Sequence, residues 1–134
     1  MNVETGNWNS NSQFQKCGSC GLSWDQWPDF ILDSNIRPIG FQAIPGLPDA
    51  NLLVFEHRCG STISVLAKRL RHILADSEHA ADLPVLFDTD RCCGHCRFLD
   101  DLERCDRLCI NARDRRLMLM LLKMKRDGCE RSLL

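Results

Sequence analysis

The chain has 134 residues, 44% of them apolar and 26% charged, with a formal net charge of -1. That length suits one ordinary domain or two small ones sharing a core, and the near-neutral balance argues against a protein that coats nucleic acid nonspecifically. Nine cysteines stand out, an odd number that leaves one spare in any fully paired disulfide scheme.

Residues 1–16 are polar and rich in Asn, Ser and Gln, and read as a disordered tail without an export signal. No stretch approaches the roughly 18 consecutive apolar residues of a membrane span, so no membrane partner is expected. A cysteine-rich chain of this kind points to a cytoplasmic metal binder, because a reducing compartment keeps thiols unpaired. Cys17-Gly-Ser-Cys20-Gly forms a tight turn. Ser23 or Asp25 is placed to cap a short helix, with Pro28 and Asp29 in its first turn and Trp27, Phe30 and Ile31 facing the core. Residues 36–44 and 52–58 read as two strands of a hairpin, separated by the turn residues Pro45, Gly46, Pro48 and Asp49.

After Cys59-Gly60, residues 61–76 place Val65, Leu66, Leu70, Ile73 and Leu74 at helical spacing, with Lys68, Arg69, Arg71 and His72 on the other face. A connection follows over 77–91, with one short extended piece at Pro84 to Phe87. Helices are expected over 94–104 and 107–127, the second stopped by Gly128. The fold class is α+β: a zinc-ribbon-like hairpin and knuckle over 17–76, then a helical four-cysteine metal-binding region over 77–134. A shared core would merge the two into one domain.

Two groups of residues carry chemistry. In the first, the spacing of Cys17-x-x-Cys20 lets one tight turn aim both sulfurs at one cation, and Gly18 and Gly21 permit such a turn. His57-Arg-Cys59-Gly60 ends the second strand. Side chains at i and i+2 of a strand share a side, so His57 and Cys59 can converge on the knuckle. The set Cys17, Cys20, His57 and Cys59 is one that structural zinc accepts. The competing readings are a hydrogen-bonded core histidine for His57 and a thioredoxin-like redox pair for Cys17 and Cys20. No βαβ pattern supports the latter.

The second group is Cys92-x3-Cys96-x8-Cys105-x3-Cys109. Cysteines at i and i+4 lie one helical turn apart, and two such pairs facing each other could surround one ion with four thiolates. Cys93 is an alternative to Cys92, because Cys93-Gly-His-Cys96 is itself a knuckle spacing. His95, between the ligands, is expected to point outward. The same twin pairs could close as two disulfides in an oxidising compartment, or hold an iron–sulfur cluster. Cys129 is expected to be a free thiol. Two zinc ions per chain follow from the two complete sets.

The blocks CGSCGLSWDQWPDFILD, IGFQAI, LLVFEHRCGSTISV and CCGHCRFLDDLERCDRLC together resemble a family of small, uncharacterised, cysteine-rich bacterial proteins. The resemblance covers residues 17 to about 122. It implies that Cys17, Cys20, His57, Cys59, Cys92, Cys96, Cys105 and Cys109 occupy the family's motif positions, with Cys92 favoured over Cys93. Cys93 and the longer apolar C-terminal helix depart from the family pattern. The family has no established activity.

Residues 117–122 are apolar around the whole helix, so this helix needs cover on more than one side. It either runs through the core or presents a surface for a partner protein or a second copy across 113–126. Its Met118, Met120 and Met124 would pack adaptably there. The functional expectation is a small zinc-binding protein with structural metal sites, acting as a protein-interaction or regulatory module. One alternative is a nucleic-acid-binding zinc protein that uses the basic residues at 68–72 and 113–126, though the chain has no basic excess and no Tyr. Another is an iron–sulfur or thiol redox protein. No catalytic residues are expected: each ligand set is complete at four, and Asp100 with Asp101, like Asp88 with Asp90, reads as cap and loop chemistry.

Overall fold

The computed structural model describes residues 13–74, 83–87, 89–105, 107 and 109–132, with side chains of the last helix described to Asp127. Residues 1–12 of the expected 1–16 tail, the end of the expected helix at 75–76, Asp88 and the side chain of Cys129 lie outside the described residues. Two short strands, β1 (Gln15–Lys16) and β2 (Ser23–Trp24), pair antiparallel around the Cys17–Cys20 turn. Residues 13–16 therefore belong to the fold and not to a tail. Phe14 packs against the core, its N–H reaches the Trp24 carbonyl at 2.8 Å, and the Arg69 guanidinium covers its ring.

Helix α1 (Trp27–Ile31) follows, with Pro28 in its first turn. The capping residue is Gln26, one position beyond Asp25: its N–H donates to the Asp29 carboxylate at 3.1 Å. Phe30 and Ile31 are buried and Trp27 packs beside them, as the helical spacing predicts. Beyond the helix end, the Lys125 ammonium donates to the carbonyls of Ile31 and Asp33, a favourable place for a cation.

The main sheet has three antiparallel strands in the order β3 (Ile36–Gln42), β4 (Leu52–His57) and β5 (Thr62–Leu66). The two expected strands form, each slightly shorter than the sequence suggests. The third strand corrects the expected helix over 61–76. Thr62, Ile63 and Val65 are β-branched and favour extended backbone, and the segment alternates, burying Ile63 and Val65 while Thr62 and Ser64 face outward. Of the remaining apolar residues of that segment, Leu70 and Leu74 are buried and Ile73 is half-buried, around two successive 3-10 turns at Ala67–Arg69 and Arg71–Ile73.

The expected helix over 94–104 is also absent. Its place is taken by a single 3-10 turn at His95–Arg97 and irregular chain, and no strand forms over 83–87. Gly94 has φ 92°, outside the helical region, and Phe98 is extended. That route brings Leu99 to the edge strand β3, where its carbonyl accepts the Phe41 N–H at 2.9 Å. A Cβ at Gly40 would collide with the Leu99 side chain and carbonyl, so glycine is required for this approach.

The final helix, α2 (Ile110–Ser132), starts three residues later than expected and runs through Gly128. Leu117, Met118 and Leu121 are fully buried in the same core as Phe30, Phe41, Phe55 and Leu53. The helix thus passes through the interior. Its first turns also bury Asn111, Arg113, Asp114 and Arg115. Asp114 accepts from Asn51 at 3.0 Å and from two nitrogens of Arg71 at 2.9 and 2.6 Å, and Asn51 also donates to Asn111 at 2.7 Å. Such partners offset the cost of burying the carboxylate.

Gly40→Ala should destabilise the protein by about 2 kcal/mol, through overpacking at Leu99. Thermal denaturation checks this; an unchanged melting temperature would show that the loop beside β3 is held by something else.

Candidate metal centre

The Cys17–Cys20 turn is closed by the Cys17 N–H donating to the Leu22 carbonyl at 2.8 Å and the Gly21 N–H to the Cys17 carbonyl at 3.0 Å. Gly21, at φ 82°, takes a backbone conformation that glycine tolerates best. Across from it, β4 ends at His57. The chain turns through Cys59 and Gly60, at φ 95°, and β5 begins, with the His57 N–H donating to the Ser61 carbonyl at 2.9 Å. Cys59 lies in this turn and not on the strand, yet it still shares a side with His57.

The four donor atoms of Cys17, Cys20, His57 and Cys59 all lie within 4.8 Å of one another, and this group could hold a metal ion. The sulfurs of Cys17 and Cys59 are 3.6 Å apart. His57 Nδ1 is 3.2 Å from the Cys59 sulfur and 3.7 Å from that of Cys20. A tetrahedron with metal–sulfur bonds of 2.3 Å has edges of about 3.7 Å. The spacing matches such edges and is far too long for a disulfide of about 2.05 Å. Cys17 and His57 are buried, whereas Cys20 and Cys59 are exposed. The His57 ring meets the Trp24 ring edge-on at 5.4 Å, and the Trp24 N–H donates to Asp33 at 2.8 Å.

The electrostatics favour a cation. The Ser61 hydroxyl is 3.1 Å from both the Cys17 and Cys59 sulfurs. Together with the N–H groups of Cys20 and Ser19, it pulls the Cys17 thiol down to about 5. Cys59 is lowered by the Ser61 hydroxyl and N–H, then by His57. His57 is raised by its contact with Cys59. At Cys20 the Leu22 N–H favours the thiolate, but desolvation and the neighbouring Cys17 and Cys59 sulfurs outweigh it and the thiol rises. The pocket thus stabilises two thiolates and resists a third. A divalent cation removes that repulsion.

Sequence reasoning missed Ser61, Trp24 and Asp33. For Ser61 a signal was present: it directly follows Cys59-Gly60, where the chain must turn back past the ligands.

The second group is arranged differently. Cys92, Cys93, Cys96, Cys105 and Cys109 line one small cavity, together with Leu86 and Ala112. No three of their sulfurs gather as tightly as the first set. The helical pairing behind this expectation does not occur, because Gly94 breaks the segment into a 3-10 turn. Cys93 and Cys105 make the close sulfur contact, at 3.0 Å. His95 turns away to Asp101, at 2.9 Å, and holds that carboxyl below its usual range. Asp101 also accepts the Glu103 N–H at 3.0 Å, as a loop residue would. Burial pushes the Cys105 thiol up to about 11 and raises that of Cys96.

No family model, curated protein or solved structure matches this chain. No helix among the described residues is long and apolar enough to cross a membrane.

Ser61→Ala should weaken metal binding about tenfold without changing stoichiometry, the usual scale for a group that orients ligands from behind. Competition against a chelator measures this, and unchanged affinity would remove Ser61 from the site.

Proposed function

We propose that the protein is a small zinc-binding protein in which Cys17, Cys20, His57 and Cys59 hold a structural zinc ion, and that it acts as a protein-interaction or regulatory module. The convergence of four donor atoms within 4.8 Å carries this reading. Three thiolates and one imidazole complete a tetrahedron and leave no open position for water, which suits a structural role over a catalytic one. The ion joins the β1–β2 turn to the β4–β5 turn, so its binding free energy is folding free energy. Reduced ligands of this kind belong in a reducing compartment, and we assign the protein to the cytoplasm. Its motif order supports grouping it with the small cysteine-rich bacterial proteins that it resembles.

The interaction surface that we favour is the outer face of the 113–126 segment of α2. Leu119 and Leu122 are only half-buried there and lie outside the core, with Lys123 and Arg126 exposed beside them. This mixed stripe suits a second copy of the chain or another protein. Light scattering should give twice the 15.3 kDa chain mass for the wild type and the single-chain mass for Leu122→Lys. A single-chain mass for the wild type would eliminate the second copy.

Elemental analysis of anaerobically purified protein tests the metal assignment. Zinc should be present, the protein should be colourless, and Cys59→Ser should lose the ion with partial unfolding. Iron with a visible chromophore, or a metal content unchanged in Cys59→Ser, would contradict the reading.

A further inference from the structure

The cavity between the 83–105 loops and the start of α2 has features that the first site does not explain. It is lined by five cysteines from three stretches of chain: Cys92, Cys93 and Cys96 around the 3-10 turn, Cys105 on the following loop, and Cys109 just ahead of α2. Its free volume is about 10 Å³, at the lower limit of the roughly 10–15 Å³ that a single water needs. A hydrated ion does not fit in that space, so any cation held there would be bonded directly to sulfur. A backbone N–H already points at one of the sulfurs, Leu86 at Cys109 (3.3 Å).

An independent observation comes from Arg115, whose guanidinium is fully buried and approaches the Cys96 sulfur at 3.7 Å. Its other described partners are the backbone carbonyls of Asp101 and Glu103. The Asp101 carboxylate is a long ion-pair partner at 3.8 Å, beyond hydrogen-bond reach, and Nε has no hydrogen-bond partner among the described residues. A buried cation held by one long ion pair is favoured by further negative charge close to it. Four thiolates around a divalent ion carry a net charge of about -2, and this cavity is where that charge would sit against Arg115.

We propose that this cavity is a second metal site, in which Cys93, Cys96, Cys105 and Cys109 bind one zinc ion through four thiolates and Arg115 offsets their excess charge. The choice of Cys93 over Cys92 follows from geometry. Cys93 is the cysteine already against Cys105, at 3.0 Å, and a spread of under 1 Å brings that pair to a tetrahedral edge of about 3.7 Å. Cys93-Gly94-His95-Cys96 also repeats the first site's two-residue spacing, with the positive-φ glycine inside the pair (Gly94, φ 92°) where the first site has it just after (Gly21, φ 82°). Cys92 is the spare thiol. Binding releases the protons of whichever ligands are still thiols, and no electrons are transferred.

The test is zinc per chain, by elemental analysis of anaerobically purified full-length protein, for the wild type and for Cys92→Ser, Cys93→Ser, Cys105→Ser and Cys59→Ser. Two ions are expected in the wild type and in Cys92→Ser, and one in Cys93→Ser and Cys105→Ser. Circular dichroism reports whether each variant folds. If Cys105→Ser fails to fold, Cys93→Ser carries the test from its exposed position. Full zinc retention in Cys93→Ser with loss in Cys92→Ser overturns the ligand assignment, and retention in both overturns the site. A single wild-type ion lost only in Cys59→Ser rejects this second site and leaves the first intact. One lost in Cys93→Ser and Cys105→Ser but kept in Cys59→Ser does the reverse.

Discussion

The arrangement depends on one contact: two chain turns that meet at four atoms able to hold a metal ion, with no covalent link between them. The Cys17–Cys20 turn and the His57–Cys59 turn are about 40 residues apart in sequence, yet their sulfurs and imidazole pack within 4.8 Å. Two of the thiols are already biased toward thiolates by Ser61, and a third like charge beside them is unfavourable. A cation at the centre turns the repulsion into attraction. Trp24 and Phe30 then pack directly behind it, edge-on to each other at 5.0 Å, which links the site to the core.

The interior itself is unusual for so small a chain, because its central helix brings charges with it. Asp114 and Arg115 are both fully buried, and they are held in different ways. Asp114 is held by Arg71 and Asn51, a closed network that ties the 3-10 turns and the start of β4 to α2. Arg115 lies over the Phe41 ring and reaches backbone carbonyls of the cysteine loop. Through these contacts and the Gly40–Leu99 approach, the irregular loops at 89–105 are fixed against the sheet without secondary structure of their own.

Much of this was legible in the sequence. The first metal set was readable because its spacing is local: Cys17-x-x-Cys20 sits in one turn, and His57-x-Cys59 at the end of one strand. The hairpin strands, α1 and the long last helix were also readable. The 61–76 segment was misread because Val65, Leu66, Leu70, Ile73 and Leu74 satisfy a helical period, while the shorter alternation of Thr62 to Leu66 decides the backbone. The 92–109 block was misread in the same way. Its i, i+4 spacing fits a helix, but Gly94 and the pairing of Leu99 with β3 prevent one. Gly40 and Ser61 matter only through long-range partners, which no local pattern reveals.

The most direct test of the central contact is the melting temperature of the protein before chelation, after it, and after zinc is restored. Binding energy shared with folding predicts a large fall when the ion is removed and full recovery when it returns. A metal-free protein that melts at the same temperature as the untreated one would contradict the account.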